Sequence, residues 1–404
     1  MVSVGRSSEL TCLSAFTGLG GMDLGLEAAG FRHVGCIEWD HAARRSLKAN
    51  RGERWPVLAT GDIEEAADTL KPEDLSLSAG DLDLLVGAPP CQPYSKAAQW
   101  AAGTRLGLED RRGRYLDDFL QLVQTFLPKV VVIENVRGFV LGSTSALPYL
   151  AAELARMEAT TGVTYACDHR LLDAHDYGVP QHRVRAIVVL RRCDTPFQWP
   201  AARSPVVAWD AIGPLRFDDD PPRCVGKWAD LVPSIPEGHN YLWHTNRGGG
   251  RHLFGYRTRY WSFLLKLAKD RPSWTLPASP GPATGPFHWD NRPLRIEELL
   301  RLQSFPADWQ VEAGSRPEAV RQVGNATPPL LAEAVGRSVA TMLDGRDFAS
   351  ALTLAIPTRR PIPPASIPAP VPQHLLKFEG TYEDHPGHGN GPGAVKAISE
   401  ADKV

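Results

Sequence analysis

No run of the chain approaches the roughly 18 uninterrupted apolar residues that a membrane helix needs. Its opening residues, MVSVGRSSELTC, hold no charged segment followed by an apolar stretch and a cleavage site. Neither a membrane span nor a secretory leader is expected, and the default address is cytoplasmic. Cysteine is scarce: six in 404 residues, at Cys12, Cys36, Cys91, Cys167, Cys193 and Cys224, with no CxxC pair. That is too sparse for a disulfide scaffold and wrongly spaced for a structural zinc site, so no metal is expected. Neither sign of charge is in clear excess. Forty-four Lys and Arg against 46 Asp and Glu leave a net charge of -2, so a polyanion would have to bind a local patch. The dinucleotide fingerprint GxGxxG is also missing, because Asp23 stands five residues after Gly18, which weighs against a nicotinamide cofactor.

What is present fits a globular protein of about two domains: 43% hydrophobic and 22% charged residues, with Gly 36 and Pro 35 promising many loops. Residues 1–195 alternate short apolar runs with amphipathic stretches. Strands are expected at 10–16, 33–37, 82–86, 130–134 and 186–190, and helices at 22–30 and 115–126. Such alternation predicts an α/β fold with a parallel sheet covered by helices. Over 196–293 the rhythm disappears except near 260–269, as in a second, loop-rich domain. Helical spacing resumes at 295–303 and 328–343, within a segment 294–350 that can return to the first domain. Seven prolines between 357 and 372 mark 351–404 as an extended or disordered appendage, dispensable for folding.

Four constellations carry chemistry. Phe16-Thr-Gly18-Leu-Gly20-Gly21-Met-Asp23 is a glycine-rich turn between a strand and a helix, with Glu38 of Ile37-Glu-Trp-Asp40 placed to accept from ribose hydroxyls and Asp62 from an adenine amino group. Alone, such a turn fits a plain structural bend equally well. Leu84-Leu-Val-Gly-Ala-Pro-Pro-Cys91 runs a buried strand into two prolines and a thiol, a good place for a nucleophile although a lone cytosolic cysteine is more often inert packing. Val132-Ile-Glu134-Asn-Val136 ends a strand in a carboxylate that Asn135 can orient; a solvated helix cap is the plainer alternative. Arg183 and Arg185, two apart at the start of a strand, share one face and can enter one cleft, unless they are simply a basic edge.

Taken in order, these segments resemble the DNA (cytosine-5) methyltransferase family, of bacterial restriction-modification or phage-defence type, across about residues 10–345. The matches are FTGLGGMD, IEWD, GDI, the PCQ loop at 90–92, ENV at 134–136, QxRxR at 181–185, RLQSFP at 301–306 and Gln322-Val-Gly-Asn-Ala-Thr327. Departures are small: Ala88-Pro-Pro precedes Cys91, and Thr327 stands where Val is frequent.

The resemblance implies a Rossmann-like S-adenosylmethionine-dependent methyltransferase sheet with a smaller loop-rich target recognition domain. Residues 1–195 would then be catalytic and cofactor-binding, and 196–293 would read the target. It implies attack by Cys91 on C6 of a flipped-out cytosine, with Glu134, Arg183 and Arg185 completing the catalytic set. The cofactor, S-adenosyl-L-methionine, leaving as S-adenosyl-L-homocysteine, would lie on Phe16, Gly18, Leu19, Gly20, Glu38, Trp39, Asp62, Ile63, Pro90 and Asn325. The loop 95–114 would be a mobile lid.

Double-stranded DNA would meet Gln92, Ser95, Arg247, Arg251, Arg257 and Arg259, the arginines belonging to a stretch at 240–272 with seven Lys or Arg, one acid, Asp270, and interleaved aromatics able to form a small core. A cognate restriction endonuclease or defence-system proteins are the implied partners, with no membrane and a monomer sufficing for the chemistry. Methylation of cytosine in tRNA and a catalytically silent DNA-binding relative stay open as alternatives.

Overall fold

The computed structural model describes residues 9–90, 114–142, 145–348 and 351–382. Six strands form one sheet: β1 (Leu10–Ala15), β2 (Phe31–Ile37), β3 (Leu84–Gly87), β4 (Val130–Asn135), β5 (Ala166–Asp173) and β6 (Val184–Arg191), in the order β2-β1-β3-β4-β6-β5. The first four are parallel, as the α/β rhythm predicts. The expectation of an all-parallel sheet fails at its far side, where β6 runs antiparallel to both β4 and β5. Only residues 174–183 link β5 to β6, too few for the crossover of roughly a dozen or more residues that a parallel pair requires.

The buried strands feed two layers by simple alternation. Leu13, Leu85, Val131, Ile133 and Val188 point into a cluster with α3 (Ile63–Thr69), α4 (Arg114–Phe126) and α5 (Leu147–Thr161). Cys12, Leu84, Val86, Val132 and Val189 point the other way, toward α1 (Gly21–Ala28) and the C-terminal α9 (Pro329–Asp344). A third cluster joins α2 (His41–Arg51) to α6 (Ala208–Ile212), α7 (Ile296–Leu302) and α8 (Arg316–Asn325). The late helices therefore do return to the sheet. α1 and α9 approach so closely that a Cβ on Gly25 would lie 2.4 Å from the Pro329 carbonyl oxygen.

Between α6 and α7 regular structure is sparse. Segment 260–269, where a period was expected, forms only isolated bridges such as Phe263 with Thr284 and Lys266 with Phe287. Its core is Leu231, Ile235, Tyr241, Phe254, Phe263 and Phe287. Leu375 belongs to the same cluster and Gly380 N–H donates to the His252 carbonyl at 3.1 Å, so the expected disordered appendage is packed as far as Gly380. Arg359 N–H donates to Asp210 Oδ1 at 2.5 Å, Ser366 N–H to Glu237 Oε1 at 3.0 Å, and Ala369 N–H to the Pro233 carbonyl at 3.0 Å. Prolines lack an N–H and favour an extended path; here Ile356 before them and Leu375 and Phe378 after them give that path apolar anchors at both ends. No helix among the described residues is long and apolar enough to cross a membrane.

Candidate active site

β1, β3 and β4 end at the same edge of the sheet, and the chain leaves each through one of the expected motifs. After β1 the turn is tight: Phe16 and Gly18 both have φ of 56°, and Gly20, at 84°, caps α1. Gly20 is a glycine for φ and for space, since a Cβ there would lie 2.7 Å from the Trp55 ring. Thr17 Oγ1 donates to the Ile37 carbonyl at 3.3 Å and ties this turn to the end of β2.

Glu38 is the keystone of that corner. Gly18 N–H donates to its Oε2 at 2.6 Å and Asp40 N–H to its Oε1 at 2.7 Å. Burial raises its pKa from the ordinary carboxylate value, and the two N–H groups pull against that shift. Asp40 in turn caps α2, accepting from Ala42 N–H and Ala43 N–H at 2.9 Å, while Arg321 of α8 binds its other oxygen at 2.7 Å. Partial burial would raise the Asp40 pKa, but these donors hold it below the usual range. Trp39, 72% exposed, stands open beside them. Asp62 caps α3 through Glu64 N–H at 3.0 Å.

At the end of β4 the buried Glu134 pairs with Arg185, Oε1 to Nε 2.9 Å. Asn135, expected to orient that carboxylate, instead donates to the Pro89 carbonyl at 3.0 Å and accepts from Val136 N–H at 2.9 Å. It therefore anchors the approach to Cys91 and leaves Glu134 to the arginine. Arg183, only 2% exposed, donates from Nη2 to the Gly324 carbonyl at 2.8 Å. β6, flanked by β4 and β5, is no edge strand, which removes the plainer reading of these arginines.

All of this opens onto one cavity of about 730 Å³. Phe16, Gly18, Leu19, Glu38, Trp39, Asp62, Ile63, Pro90 and Asn325 line it, and so do Glu134, Arg183 and Arg185. Gly20 does not line it; its place is behind the turn, against Trp55 and Leu47. Cys91, Gln92, Ser95 and the lid expected at 95–114, up to Gly113, lie outside the described residues. Sequence reasoning gave no site role to Arg321, Tyr115 or Thr327, which also line the cavity. Arg321 could have been found from the helical spacing that sets it one turn before Asn325, on the face that meets the glycine turn.

The cationic stretch is less uniform than its composition suggests. Lys266 is buried with Nζ 2.6 Å from Asn291 Oδ1, and burial lowers its pKa to about 8; Lys269 is buried against Glu237. The exposed arginines are Arg247, Arg251, Arg257, Arg259 and Arg271. Of the interleaved aromatics, Tyr241, Phe254 and Phe263 are core, whereas Tyr260 and Trp261 face solvent.

A model of the C-5 cytosine-specific DNA methylase family matches residues 10–216 and 255–341. The type II methyltransferase M.SacI of Streptomyces achromogenes is 33% identical over 377 residues, spanning 83% of this chain and 94% of its own. M.Eco47II of Escherichia coli is 32% identical over 353 residues, spanning 83% and 79%. Among solved structures, the methyltransferase EhMeth of Entamoeba histolytica has a similar fold, with a TM-score of 0.55 at 15% identity over 82% of this chain and 98% of that one.

Proposed function

Because the chain belongs to the C-5 cytosine-specific DNA methylase family, a family of S-adenosyl-L-methionine-dependent enzymes, we propose that it methylates C5 of a flipped-out cytosine in a short duplex target through a covalent bond from Cys91 to C6. The observation that carries this reading is the convergence of Glu38, Trp39, Glu134, Arg185 and Asn325, from four separate stretches of chain, on one cavity. Residues 1–195 with 294–350 form the catalytic unit, and 196–293 the target recognition domain.

The cavity suits the cofactor. Trp39 offers an open aromatic face, Glu38 and Asp62 keep acceptor capacity for hydroxyl and amino groups, and Gly18, Leu19 and Asn325 complete the walls. When bound, S-adenosyl-L-methionine supplies a methyl group on a cationic sulfonium. Cys91 adds to C6 and turns the unreactive C5 into an enamine-like carbon. Glu134 holds the pyrimidine at N3 and its exocyclic amine, offsetting charge as C6 is attacked. Arg185 keeps that carboxylate in place, and Arg183 ties the start of β6 to the Gly324 carbonyl and so to the Asn325 wall. Loss of the C5 proton and departure of Cys91 restore the ring. Both ring carbons are out of reach within the stack, so the base leaves the duplex.

The test is single-base mapping of 5-methylcytosine in plasmid DNA from cells expressing the protein, with Cys91→Ala as control. Methylation at one short motif, absent in the control, is expected. Unmarked DNA from the wild type would turn the search to RNA or to a silent relative, and an active Cys91→Ala would refute the covalent step.

A further inference from the structure

Seven cations in the 240–272 stretch do not present seven equivalent guanidinium or ammonium groups. Lys266 and Lys269 are buried on Asn291 and Glu237. Arg251 meets Glu379 at 3.4 Å, Arg271 meets Asp270 at 3.8 Å, and Arg259 turns back on the Thr258 carbonyl at 3.0 Å. Two guanidinium groups lie over the Tyr256 ring, Arg257 at 5.2 Å from its centroid and Arg247 at 3.7 Å; Arg247 is the closely stacked one, and its hydrogen-bonding edge has no partner among the described residues.

Its backbone is equally well held. Arg247 N–H donates to Thr245 Oγ1 at 3.3 Å, Gly248 N–H to the Thr245 carbonyl at 3.0 Å, and Gly250 N–H to the Trp243 carbonyl at 3.0 Å. The loop lies so close to Trp243 that a Cβ on Gly249 would sit 2.5 Å from the indole. His244 reaches across beneath it, Nδ1 3.1 Å from the Arg251 carbonyl. Arg247 also borders a second cavity, of about 280 Å³, walled by Trp243 and the exposed Trp261. The whole loop falls in 217–254, the stretch of the recognition domain that the family model leaves unmatched.

A guanidinium fixed by stacking on a ring, on a clamped loop and with both forks open, matches the bidentate acceptor pair O6 and N7 of guanine in the major groove, whereas a flexible surface cation suits phosphate. We propose that Arg247 is a specificity-determining residue that reads a guanine of the DNA target, pre-set by Tyr256 and the Trp243 clamp. The inference rests on the DNA-methylating reading above and deepens it.

The test compares the full chain with Arg247→Ala, Arg247→Lys and Arg251→Ala on a duplex library randomised at each position of the mapped motif, with S-adenosyl-L-methionine present and salt varied. Both Arg247 variants are expected to lose roughly ten- to a hundredfold discrimination at one G·C pair and to keep it elsewhere. Arg247→Lys separates shape from charge, since an ammonium can donate to the same acceptors but lacks the rigid planar fork that stacks on Tyr256, so its loss is expected to be the smaller of the two. Arg251→Ala is expected to weaken all sequences alike and to reduce the salt slope of binding by about one. Full discrimination at every position in Arg247→Ala, or a uniform loss with a reduced salt slope in that variant, would remove Arg247 from base reading and overturn the proposal. Those outcomes leave DNA methylation by the wild type intact; a wild type that marks no duplex sinks both readings.

Discussion

At the scale of single residues, the site is organised by carboxylates with assigned donors. Glu134 has one strong partner, Arg185, and both side chains are nearly buried, so Glu134→Gln removes the charge proposed to stabilise the transition state and leaves the guanidinium short of its counter-ion. Turnover is expected to fall roughly a hundredfold or more, with the dissociation constant for target DNA changed far less. Single-turnover rates beside equilibrium binding measure the split, and equal losses in both would count against the assigned role. His244 provides a pH handle outside the catalytic cavity. Burial lowers its pKa from 6.5 to about 4, one ring nitrogen facing the Arg251 carbonyl and the other Ser234 Oγ at 2.8 Å. The unfolded chain takes up this proton below about 6.5 and the folded chain resists it until about 4. His244 therefore contributes stability that is complete above 6.5 and lost as pH falls toward 4. Denaturant melts of wild type and His244→Gln at pH 7 and pH 5 should show the wild type losing stability on acidification and the variant losing less.

At the scale of elements, the strands with an unbroken apolar middle were legible and the edge strand β5 was not. β4 reads Val-Val-Val-Ile and is buried throughout, while β5, Ala-Cys-Asp-His-Arg-Leu-Leu-Asp, is largely open and carries no such run. The antiparallel turn of β6 escaped notice for the same reason, because β5 is the element that makes the link short. The proline-rich segment misled in the opposite direction. Composition registers what prolines cannot do inside a helix or sheet, but docking of Leu375 and Phe378 beside Trp228 depends on a core made elsewhere. Removing 357–404 is accordingly expected to destabilise the core formed by Leu231, Tyr241, Phe254 and Phe263. Burial of Leu375 alone is worth about 2 kcal/mol, so the thermal midpoint should drop by several degrees; an unchanged midpoint in calorimetry would show that the strap is a passive passenger.

At the scale of the whole molecule, the net charge of -2 conceals a separation of roles among cations that only contact can reveal. Counting placed seven positive groups in one stretch, and folding withdrew Lys266 and Lys269 into the interior while leaving Arg247 stacked and open. The place of the site was readable beforehand, since the glycine turn, Glu38, Glu134, Arg183 and Arg185 stand at strand ends that periodicity locates and border one cavity. Sequence also foretold that the late helices return, and the Gly21 Cβ position, 2.0 Å from the Thr327 carbonyl oxygen, shows how closely they seat. What it could not supply was partnership: that Asn135 serves Pro89, that Arg185 serves Glu134, that Arg321 crosses to Asp40. Residue type and local spacing are properties of the chain, and they determined the fold class and which candidate groups stand at the strand ends. Pairing across tens to hundreds of residues depends on where packing brings strand ends and loops together, and the tertiary structure alone decided it.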